Sequence, residues 1–539
     1  MELDSTGTNH ASAAENTAAL LKEGLAHHSA GRLDTADAIY RNVLVNDPMN
    51  ADALHLLGMV ANGRRFGGQA VELIRRAIAI KPSVAEFHNN LGTVLGELDR
   101  TLEAETAFRQ AAALKPDYAE AHRNLGLSLR KQGRFEEAAI AFRRATLLRP
   151  GYGEALANLA GAMRALGNAG EAAEAEREAL AIQGGPPEAH NTLGLDLRNL
   201  RRLDQAIDQL RQAVKLSPED PFVHFNLSLV LLEAGQIEEG FAEYEWRWKL
   251  PDFEKRRRNF SRPRWDGSGL NGRTILLYTE QGLGTNIQFI RYASLITERG
   301  GKVIVQCPPV LARLFATVPG VSKVFAGGNE PSVPFDVHAP LASLPHLLKT
   351  TLESVPDRVP YFSVDLKLVE TWQRRIERED GILNIGLVWA GNQKPDPDRT
   401  CPLSEFAPLA RVKGVRFYSL QKGEYAKEAK HPPTGLNLID LADGLGDFAD
   451  TAAAVSLMDL VISVDTSVAH LAGALGKRTW TLLPYLADWR WLVAREESVW
   501  YPGMCLCRQM RQGDWPSAIE PLPGRLLTGS ELLAYRSLC

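Results

Sequence analysis

The feature that most constrains this chain is a 34-residue period that begins at Thr17 and continues to about residue 254. Four kinds of residue recur with this period. The first set, the glycine phase, is small (Gly24, Gly58, Gly92, Gly126, Ala160, Gly194 and Ser228), and the second is alanine apart from its last member (Ala36, Ala70, Ala104, Ala138, Ala172, Ala206 and Gly240). The third set, the proline phase, is proline (Pro48, Pro82, Pro116, Pro150 and Pro218), and the fourth is aromatic (Tyr40, Phe108, Phe142 and Tyr244). Small residues let helices approach closely, and proline ends a helix. The period therefore predicts an α solenoid of seven two-helix units over residues 17–254.

The period and these four sets resemble the tetratricopeptide repeat (TPR). In the fifth unit Gly184 stands where the other units have proline, and Gly185-Pro186 supply the break. Arrays of this kind have a concave surface that holds an extended peptide or a partner protein, so the resemblance implies a protein partner. A spacer and a surface for homo-oligomerisation are the alternatives. A solenoid has no chemistry of its own, so any activity must come from the rest of the chain.

Composition excludes several classes of protein. The 539 residues are long enough for several domains, and a net charge of −4 gives no general attraction to nucleic acid or to an anionic membrane. No uncharged apolar run approaches the roughly 18–20 residues that span a bilayer. Residues 1–16 are small and polar, which predicts a flexible N-terminus without a secretory signal. Five cysteines, few and odd in number, suit a reducing compartment. We expect a cytoplasmic protein without a membrane span or a nucleic-acid partner.

The second half of the chain alternates short apolar strands with helices. A linker over 255–272, with a basic run at 255–258, precedes a first Rossmann-like half over 273–380, and residues 381–539 form a second half with a C-terminal tail. Strands are predicted at 274–278, 383–389, 415–420 and 460–464, and a helix at 287–296. Such alternation predicts parallel sheets, which bind ligands at the carboxyl ends of their strands.

Polar clusters follow four of the predicted strands, at 280–285, 390–392, 421–423 and 465–467. The last cluster, Asp465-Thr466-Ser467, comes between a strand and a helix, where free N–H groups favour an anion. One of these side chains could instead cap the helix. Because all four clusters come at strand ends, we favour a shared cleft in which this turn holds the phosphate of a nucleotide.

The second half resembles bacterial TPR-linked glycosyltransferases of the GT-B fold, relatives of the heptosyltransferases and, in layout, of the O-linked N-acetylglucosaminyltransferases. The matching stretches cover most of residues 274–515: TEQGLGTNIQFIRYA, IGLVWAGN, DRTCPLSEF, FYSLQKG, DLVISVDTSVAHLAGALG, LLPYLADWRWL and VWYPGMCLCRQ. The resemblance implies two Rossmann-like halves in a GT-B arrangement. It also implies transfer of a sugar from a nucleotide donor, with no metal and no other cofactor, the nucleotide lying on the C-terminal half and the acceptor facing the N-terminal half.

The resemblance also suggests roles for particular residues. Lys422 would offset the charge that grows on the departing phosphate. The expected donor-binding residues are Gln281, Gly282, Gly284, Asn392, Gln421, Lys422, Asp465, Thr466, Ser467 and His470. His470 could instead satisfy a buried carbonyl, and Lys422 could simply be solvated.

One residue departs from the family pattern. The family loop reads Gly-Leu-Gly-Asp, and Thr285 stands in place of the aspartate that relatives use as a base. Threonine cannot accept a proton near neutral pH. Another carboxylate, Glu280 or Asp398, could serve; otherwise the acceptor arrives already nucleophilic, or the protein is a weak catalyst. Asp398 could equally pair with Arg399.

The leading hypothesis is a glycosyltransferase that modifies Ser or Thr hydroxyls of a protein acceptor recruited by the TPR array. Flagellin-type proteins are one acceptor class by resemblance. The alternatives are a non-catalytic TPR adaptor with a degenerate transferase region, which Thr285 supports, and sugar transfer to a lipid or polysaccharide.

Overall fold

The computed structural model describes residues 6–328, 331–391 and 397–527. Its contacts divide the chain into two compact units, Met1–Leu200 and Arg201–Cys539. None of the helices in the described ranges combines the length and the apolarity needed to cross a membrane.

The first unit consists of paired helices. Its eleven helices, counted over residues 6–200, which the structure describes without a gap, are α1 (Thr6–Ser29), α2 (Leu33–Asn46), α3 (Ala51–Gly63), α4 (Gly67–Ile80), α5 (Ala85–Glu97), α6 (Thr101–Leu114), α7 (Ala119–Lys131), α8 (Phe135–Leu148), α9 (Gly153–Ala165), α10 (Ala169–Gln183) and α11 (Pro187–Asn199). The predicted solenoid is confirmed, and its helices follow the 34-residue period.

The glycine phase explains how each helix pair packs. A Cβ atom on Gly126 would lie 2.6 Å from Cε1 of Phe142, and one on Gly92 would lie equally close to Phe108. Glycine therefore admits the aromatic ring of the second helix, and the ring fills the space. The proline phase ends the second helix, since α8 stops at Leu148, two residues before Pro150.

The second unit opens with the last helices of the repeat region. These are α12 (Leu203–Leu216), α13 (Pro221–Glu233), α14 (Ile237–Tyr244) and α15 (Pro251–Glu254), with a 3₁₀ helix at Glu245–Lys249 between α14 and α15. Phe241 on α14 meets the rings of Phe289 and Trp489 edge to face, with centroids 5.9 and 5.5 Å away. This part of the repeat region therefore shares a hydrophobic core with the sheets.

A first parallel sheet of four strands follows, in the order β3-β2-β1-β4. Its strands are β1 (Thr274–Tyr278), β2 (Lys302–Cys307), β3 (Val321–Ala326) and β4 (Val337–Pro340). Its helices are α16 (Leu283–Phe289), α17 (Tyr292–Glu298), α18 (Pro309–Phe315), and α19 (Leu344–Leu347), which follows a 3₁₀ turn at Leu341–Ser343.

A second parallel sheet has six strands in the order β10-β9-β8-β5-β6-β7. Its elements are α20 (Leu366–Gln373), β5 (Leu383–Val388), β6 (Val415–Ser419), β7 (Leu438–Asp440), α21 (Phe448–Ser456), β8 (Leu460–Val464), α22 (Ser467–Ala474), β9 (Thr479–Leu483), β10 (Met504–Arg508), α23 (Trp515–Ile519) and α24 (Leu522–Leu527), with 3₁₀ helices at Pro397–Arg399, Leu403–Arg411, Glu424–Lys430 and Trp489–Trp491. Numbered from β5, this order is the 3-2-1-4-5-6 of doubly wound nucleotide-binding sheets. The predicted parallel sheets are confirmed.

Three elements differ from the sequence-based expectation. The helix α1 begins at Thr6, within the segment 1–16 that was expected to be a flexible N-terminus. The helix predicted at 287–296 begins at Leu283 and is divided into α16, which ends at Phe289, and α17, which begins at Tyr292. The strand β10 was not predicted, because its sequence, which contains two cysteines, does not alternate apolar and polar residues.

Candidate functional site

A cleft of about 550 Å³ lies at the carboxyl ends of the strands in the second unit. The segments that follow β1, β5, β6, β8 and β9 all contribute to its lining, together with the start of α21. Because parallel strands bring their carboxyl ends to one edge, loops far apart in sequence meet there.

The cleft brings together most of the predicted donor-binding residues, namely Gly282, Gly284, Gln421, Lys422, Asp465, Thr466, Ser467 and His470. Gln281 is not among the lining residues, since its side chain exchanges hydrogen bonds with the Tyr244 hydroxyl. Asp398 does not line the cleft either; it is exposed and accepts a hydrogen bond from Gln512. Asn392 lies outside the described residues.

Gly284 allows the first turns of α16 and α22 to meet. A Cβ atom at this position would lie 2.7 Å from His470 Cδ2 and 3.5 Å from Ser467 Cα. Glycine is thus required by the approach of the two helices, so the loop after β1 and the turn after β8 form adjoining walls of the cleft.

The turn after β8 has no side-chain cap, although a capping side chain was one of the two interpretations of the sequence. Thr466 is the N-cap residue of α22, and no described side chain accepts a capping hydrogen bond there. The Thr466 hydroxyl instead bonds to Ser463 Oγ at 3.0 Å. The first N–H groups of α22 therefore retain hydrogen-bonding capacity toward the cleft.

Gln421 holds two loops together. Its Oε1 accepts hydrogen bonds from the N–H groups of Trp389 and Ala390 at 3.0 and 2.9 Å, and its Nε2 donates to the Ala390 and Lys422 carbonyls. The side chain expected to bind the donor is therefore committed to backbone groups, and it fixes the loops after β5 and β6.

Lys422 is exposed at the edge of the cleft, where its Nζ donates to the Ala442 carbonyl at 2.9 Å. A single neutral partner leaves the ammonium two further donors, so it can also contact an anion in the cleft.

Asp465 is buried in the cleft wall, with 5% of the residue exposed. Two ionisable groups lie close to it: Arg399 Nη1 is 3.9 Å from Oδ2, and His470 Nε2 is 3.8 Å from Oδ1. Burial, reinforced by the charge of Asp488, raises the pKa of Asp465 to about 6, although Arg399 and Arg490 act in the opposite direction. This carboxyl group changes its charge close to neutral pH.

His470 is buried beside Asp465. Its Nδ1 shares a hydrogen bond of 2.9 Å with the Tyr501 hydroxyl, and its ring stacks on Trp491. Burial, together with nearby Arg490, Arg291 and Arg399, lowers the pKa of His470 well below its usual value, so the imidazole is neutral at pH 7. Its hydrogen bond is to a side chain, which corrects the alternative that it satisfies a buried carbonyl.

Arg490 is a cleft residue that the sequence analysis did not single out. Its guanidinium donates to Asp488 Oδ1 at 2.7 Å, Gln288 Oε1 at 2.6 Å and Thr285 Oγ1 at 3.0 Å. Thr285 is therefore a neutral partner of this cation. The available signal was the stretch Trp489-Arg490-Trp491, since a guanidinium stacks on aromatic faces and binds carboxylates and phosphates.

Glu280 lies outside the cleft lining. Its side chain is fully buried, and Oε1 accepts hydrogen bonds from Arg247 Nη2 at 3.3 Å and the Ala342 N–H at 3.2 Å. Burial raises the pKa of Glu280 to about 7, against the effect of Arg247. Arg247 also donates to Glu245 and Ser343, so Glu280 belongs to a sealed polar network and not to the cleft.

The described residues contain no group of three or more His, Cys, Asp or Glu side chains that could hold a metal ion. The expected absence of a metal requirement stays a prediction.

Comparison with known proteins identifies the class of the repeat region. Residues 13–85, 89–152 and 128–188 match one model of the tetratricopeptide repeat, and residues 187–220 match a second. The chain is therefore a TPR-containing protein, and arrays of this class mediate protein interactions.

Among individual proteins, the chain is similar to protein FlbA of Caulobacter vibrioides. The two are 28% identical over 326 residues, which cover 56% of this chain and 53% of FlbA. The chain thus spans about half the length of the curated relative it matches.

Solved structures match part of the chain. MamA is 27% identical over 30% of this chain and 94% of its own, with a TM-score of 0.28. The type IV pilus biogenesis factor PilW is 24% identical over 40% of this chain and 98% of its own, with a TM-score of 0.34. YrrB, described as a TPR protein with an unusual peptide-binding site, is 25% identical over 30% of this chain and 84% of its own, with a TM-score of 0.28.

Proposed function

We propose that this protein is a glycosyltransferase with a GT-B arrangement. It transfers a sugar from a nucleotide-sugar donor to a Ser or Thr hydroxyl of a protein acceptor that the TPR array recruits. The observation that carries the proposal is the cleft, in which eight of the predicted donor-binding residues, from three separate segments, line one volume of about 550 Å³. That volume suits a ligand of nucleotide-sugar size.

The charges and donors in the cleft support a phosphate-containing ligand. Lys422 and Arg490 line it, and α22 directs uncapped N–H groups toward it. Cations and a helix N-terminus stabilise a phosphate and the charge that develops when it leaves. The acceptor would then approach from the side of Gly282 and Gly284.

A second candidate function is a non-catalytic adaptor. Thr285 supports it, because a neutral side chain bonded to Arg490 cannot act as the base that relatives have at this position. An adaptor of this kind would keep the TPR array as its working part and would retain the cleft only as a nucleotide sensor or as a remnant.

Nucleotide release separates the two candidates. The full-length chain is incubated with uridine, guanosine, adenosine and cytidine nucleotide sugars, and free nucleotide is measured. Release that depends on the chain supports the transferase. No release from any donor overturns it and favours the adaptor.

The Lys422→Ala variant tests the cleft directly. We expect release to fall by about 10²-fold or more, because the departing phosphate loses a cation. Lys427→Ala is the matched control, since Lys427 is also exposed, lies five residues further along in the 3₁₀ helix Glu424–Lys430, and does not line the cleft. Equal activity of Lys422→Ala and the control would contradict the assignment of this cleft.

A further inference from the structure

We infer that Asp465 is the catalytic residue that takes the proton from the acceptor hydroxyl, in place of the loop carboxylate that Thr285 lacks. This inference rests on the proposed function, because a hydroxyl acceptor must lose its proton when its oxygen bonds to the sugar. It also changes the expected role of Asp465 from a donor-phosphate contact to a proton acceptor.

The sign of the charge argues against a phosphate-binding role. A carboxylate placed next to a nucleotide phosphate is repelled by it, and this one is buried, so little water screens the repulsion. The neighbouring N–H groups of α22 and the side chains of Thr466 and Ser467 can bind a phosphate without Asp465. A carboxylate in this position needs another explanation.

The geometry leaves the Asp465 carboxylate open. Its contacts with Arg399 and with the neutral His470 are 3.9 and 3.8 Å long, beyond hydrogen-bonding distance. The Trp491 side chain also faces Asp465 and lowers its pKa, but its indole Nε1 makes no hydrogen bond to a described residue. The carboxylate oxygens can therefore accept a proton from a bound hydroxyl. His470 Nε2 lies 3.8 Å from Asp465 Oδ1 and would lie 3.3 Å from a Cβ atom on Gly284. The imidazole therefore lies between Asp465 and the loop that carries Thr285.

The other carboxylates of the cleft lining are either paired with an arginine or exposed to solvent. Asp447 pairs with Arg313 at 2.6 Å and caps α21. Asp488 pairs with Arg490 at 2.7 Å. Glu424 is exposed at the outer edge.

Two more carboxylates, Glu280 and Asp398, do not line the cleft at all. They are the two bases that the sequence offered. Asp465 is therefore the buried carboxylate of the described lining that has no ion-pair partner within hydrogen-bonding distance.

The step balances without another reactant. The acceptor oxygen forms a bond to the anomeric carbon, and its proton passes to Asp465. The bond between that carbon and the phosphate oxygen breaks, and the nucleotide leaves with the electron pair. Asp465 then returns its proton to water once the product departs.

The groups that face Asp465 set its working range. Burial and Asp488 oppose the ionised form, Arg399, Trp491 and Arg490 favour it, and His470 is neutral. Because the protonated carboxyl cannot act as a base, kcat/KM should fall as the pH is lowered through about 6.

Asp465→Asn tests the inference in the full-length chain, with the donor that releases nucleotide from the wild-type protein. We expect transfer to fall by about 10²- to 10⁴-fold and the acid limb of kcat/KM to disappear. Calorimetric binding of the free nucleotide should stay equal or become tighter, since a negative charge has been removed. Asp465→Glu, which keeps a carboxylate, should recover part of the rate.

The outcomes are distinguishable. Wild-type protein that releases no nucleotide overturns the proposed function. If the wild type is active, two results overturn the role of Asp465 alone: an Asp465→Asn variant that keeps the acid limb, or one that loses nucleotide binding in proportion to transfer. Glu424→Gln, which neutralises an exposed carboxylate of the same cleft, is the matched control and should keep the acid limb.

Discussion

The repeats of the first unit and the cleft region of the second unit use charged side chains in opposite ways. In the repeats, pairs such as Lys81–Asp52 lie at the surface with about half of each side chain exposed, 50% and 46%. The repeats bury a few carboxylates, such as Glu105 and Asp196 at 8% exposure, but each pairs with an arginine that is about one third exposed. In the second unit, Arg247 and Glu280 are fully buried outside the cleft lining, and Asp465 and His470 are 5% exposed within it. Buried charges lower stability unless they are closely paired, so a buried carboxylate without a close partner, such as Asp465, is a sign of function.

The largest effect that would test this contrast is expected at Arg247. Replacing it with methionine removes the cation that balances Glu280 and Glu245, leaving buried carboxylates unpaired. We expect a loss of about 3–5 kcal/mol in the free energy of unfolding, measured by urea titration. Arg264→Met is the control, because Arg264 shares Glu245 and Ser343 but is 36% exposed. Equal losses in the two variants would mean that burial is not what matters.

Asp465→Asn should change stability in the other direction. The raised pKa of Asp465, about 6, means that the folded state holds its proton more tightly than the unfolded chain does. Its ionisation therefore costs stability as the pH rises from about 4 to 6, and the asparagine variant escapes that cost. At pH 7 we expect the variant to be more stable by at most about 3 kcal/mol.

The pH dependence of that gain identifies its source. The difference between the variant and the wild type should grow between about pH 4 and 6 and stay level above, as followed by urea titrations at several pH values. For Glu280→Gln the growth should continue to about pH 7, because the pKa of Glu280 is raised to about 7. A destabilised Asp465→Asn variant would instead make Asp465 a structural partner of Arg399.

The contrast also explains what could be predicted from the sequence. In the repeats, one local requirement recurs every 34 residues, so Gly126 opposite Phe142 repeats at Gly92 opposite Phe108 and the pattern is visible without a structure. In the second unit, strand ends could be predicted from apolar runs, and the loops that line the cleft follow from parallel topology.

The side chains within those loops could not be assigned in the same way. Gln421 and Gln281 are polar residues at strand ends, yet one is bonded to the backbone and the other to Tyr244. Arg490 reaches Thr285 across 205 residues of sequence, a contact that depends on how the segments after β1 and β9 pack. Hydrogen-bond partners that are determined by tertiary packing leave no pattern in the local sequence.

A smaller effect is expected from the glycine phase. In Gly126→Ala the new Cβ would overlap the Phe142 ring, at 2.6 Å, and the apolar core would have to shift. We expect a loss of about 1–3 kcal/mol in the free energy of unfolding. Gly96→Ala is the control, because a Cβ there meets nothing within 4 Å, so alanine should stabilise α5 by about 0.5–1 kcal/mol. Equal effects on the urea midpoint would contradict the packing role of the glycine phase.

The smallest effect is expected at a surface pair of the repeats, and it tests the other side of the contrast. Lys81 Nζ lies 2.7 Å from Asp52 Oδ2, but both side chains are about half exposed, so water and salt screen the attraction. A double-mutant cycle with Lys81→Ala and Asp52→Ala should give a coupling of about 0.5 kcal/mol or less, falling further in 1 M salt. If the coupling instead exceeded about 1.5 kcal/mol and survived salt, the charges of the repeats would stabilise the fold. Charge would then not separate the two regions, and the burial of Asp465 would lose its value as a sign of function.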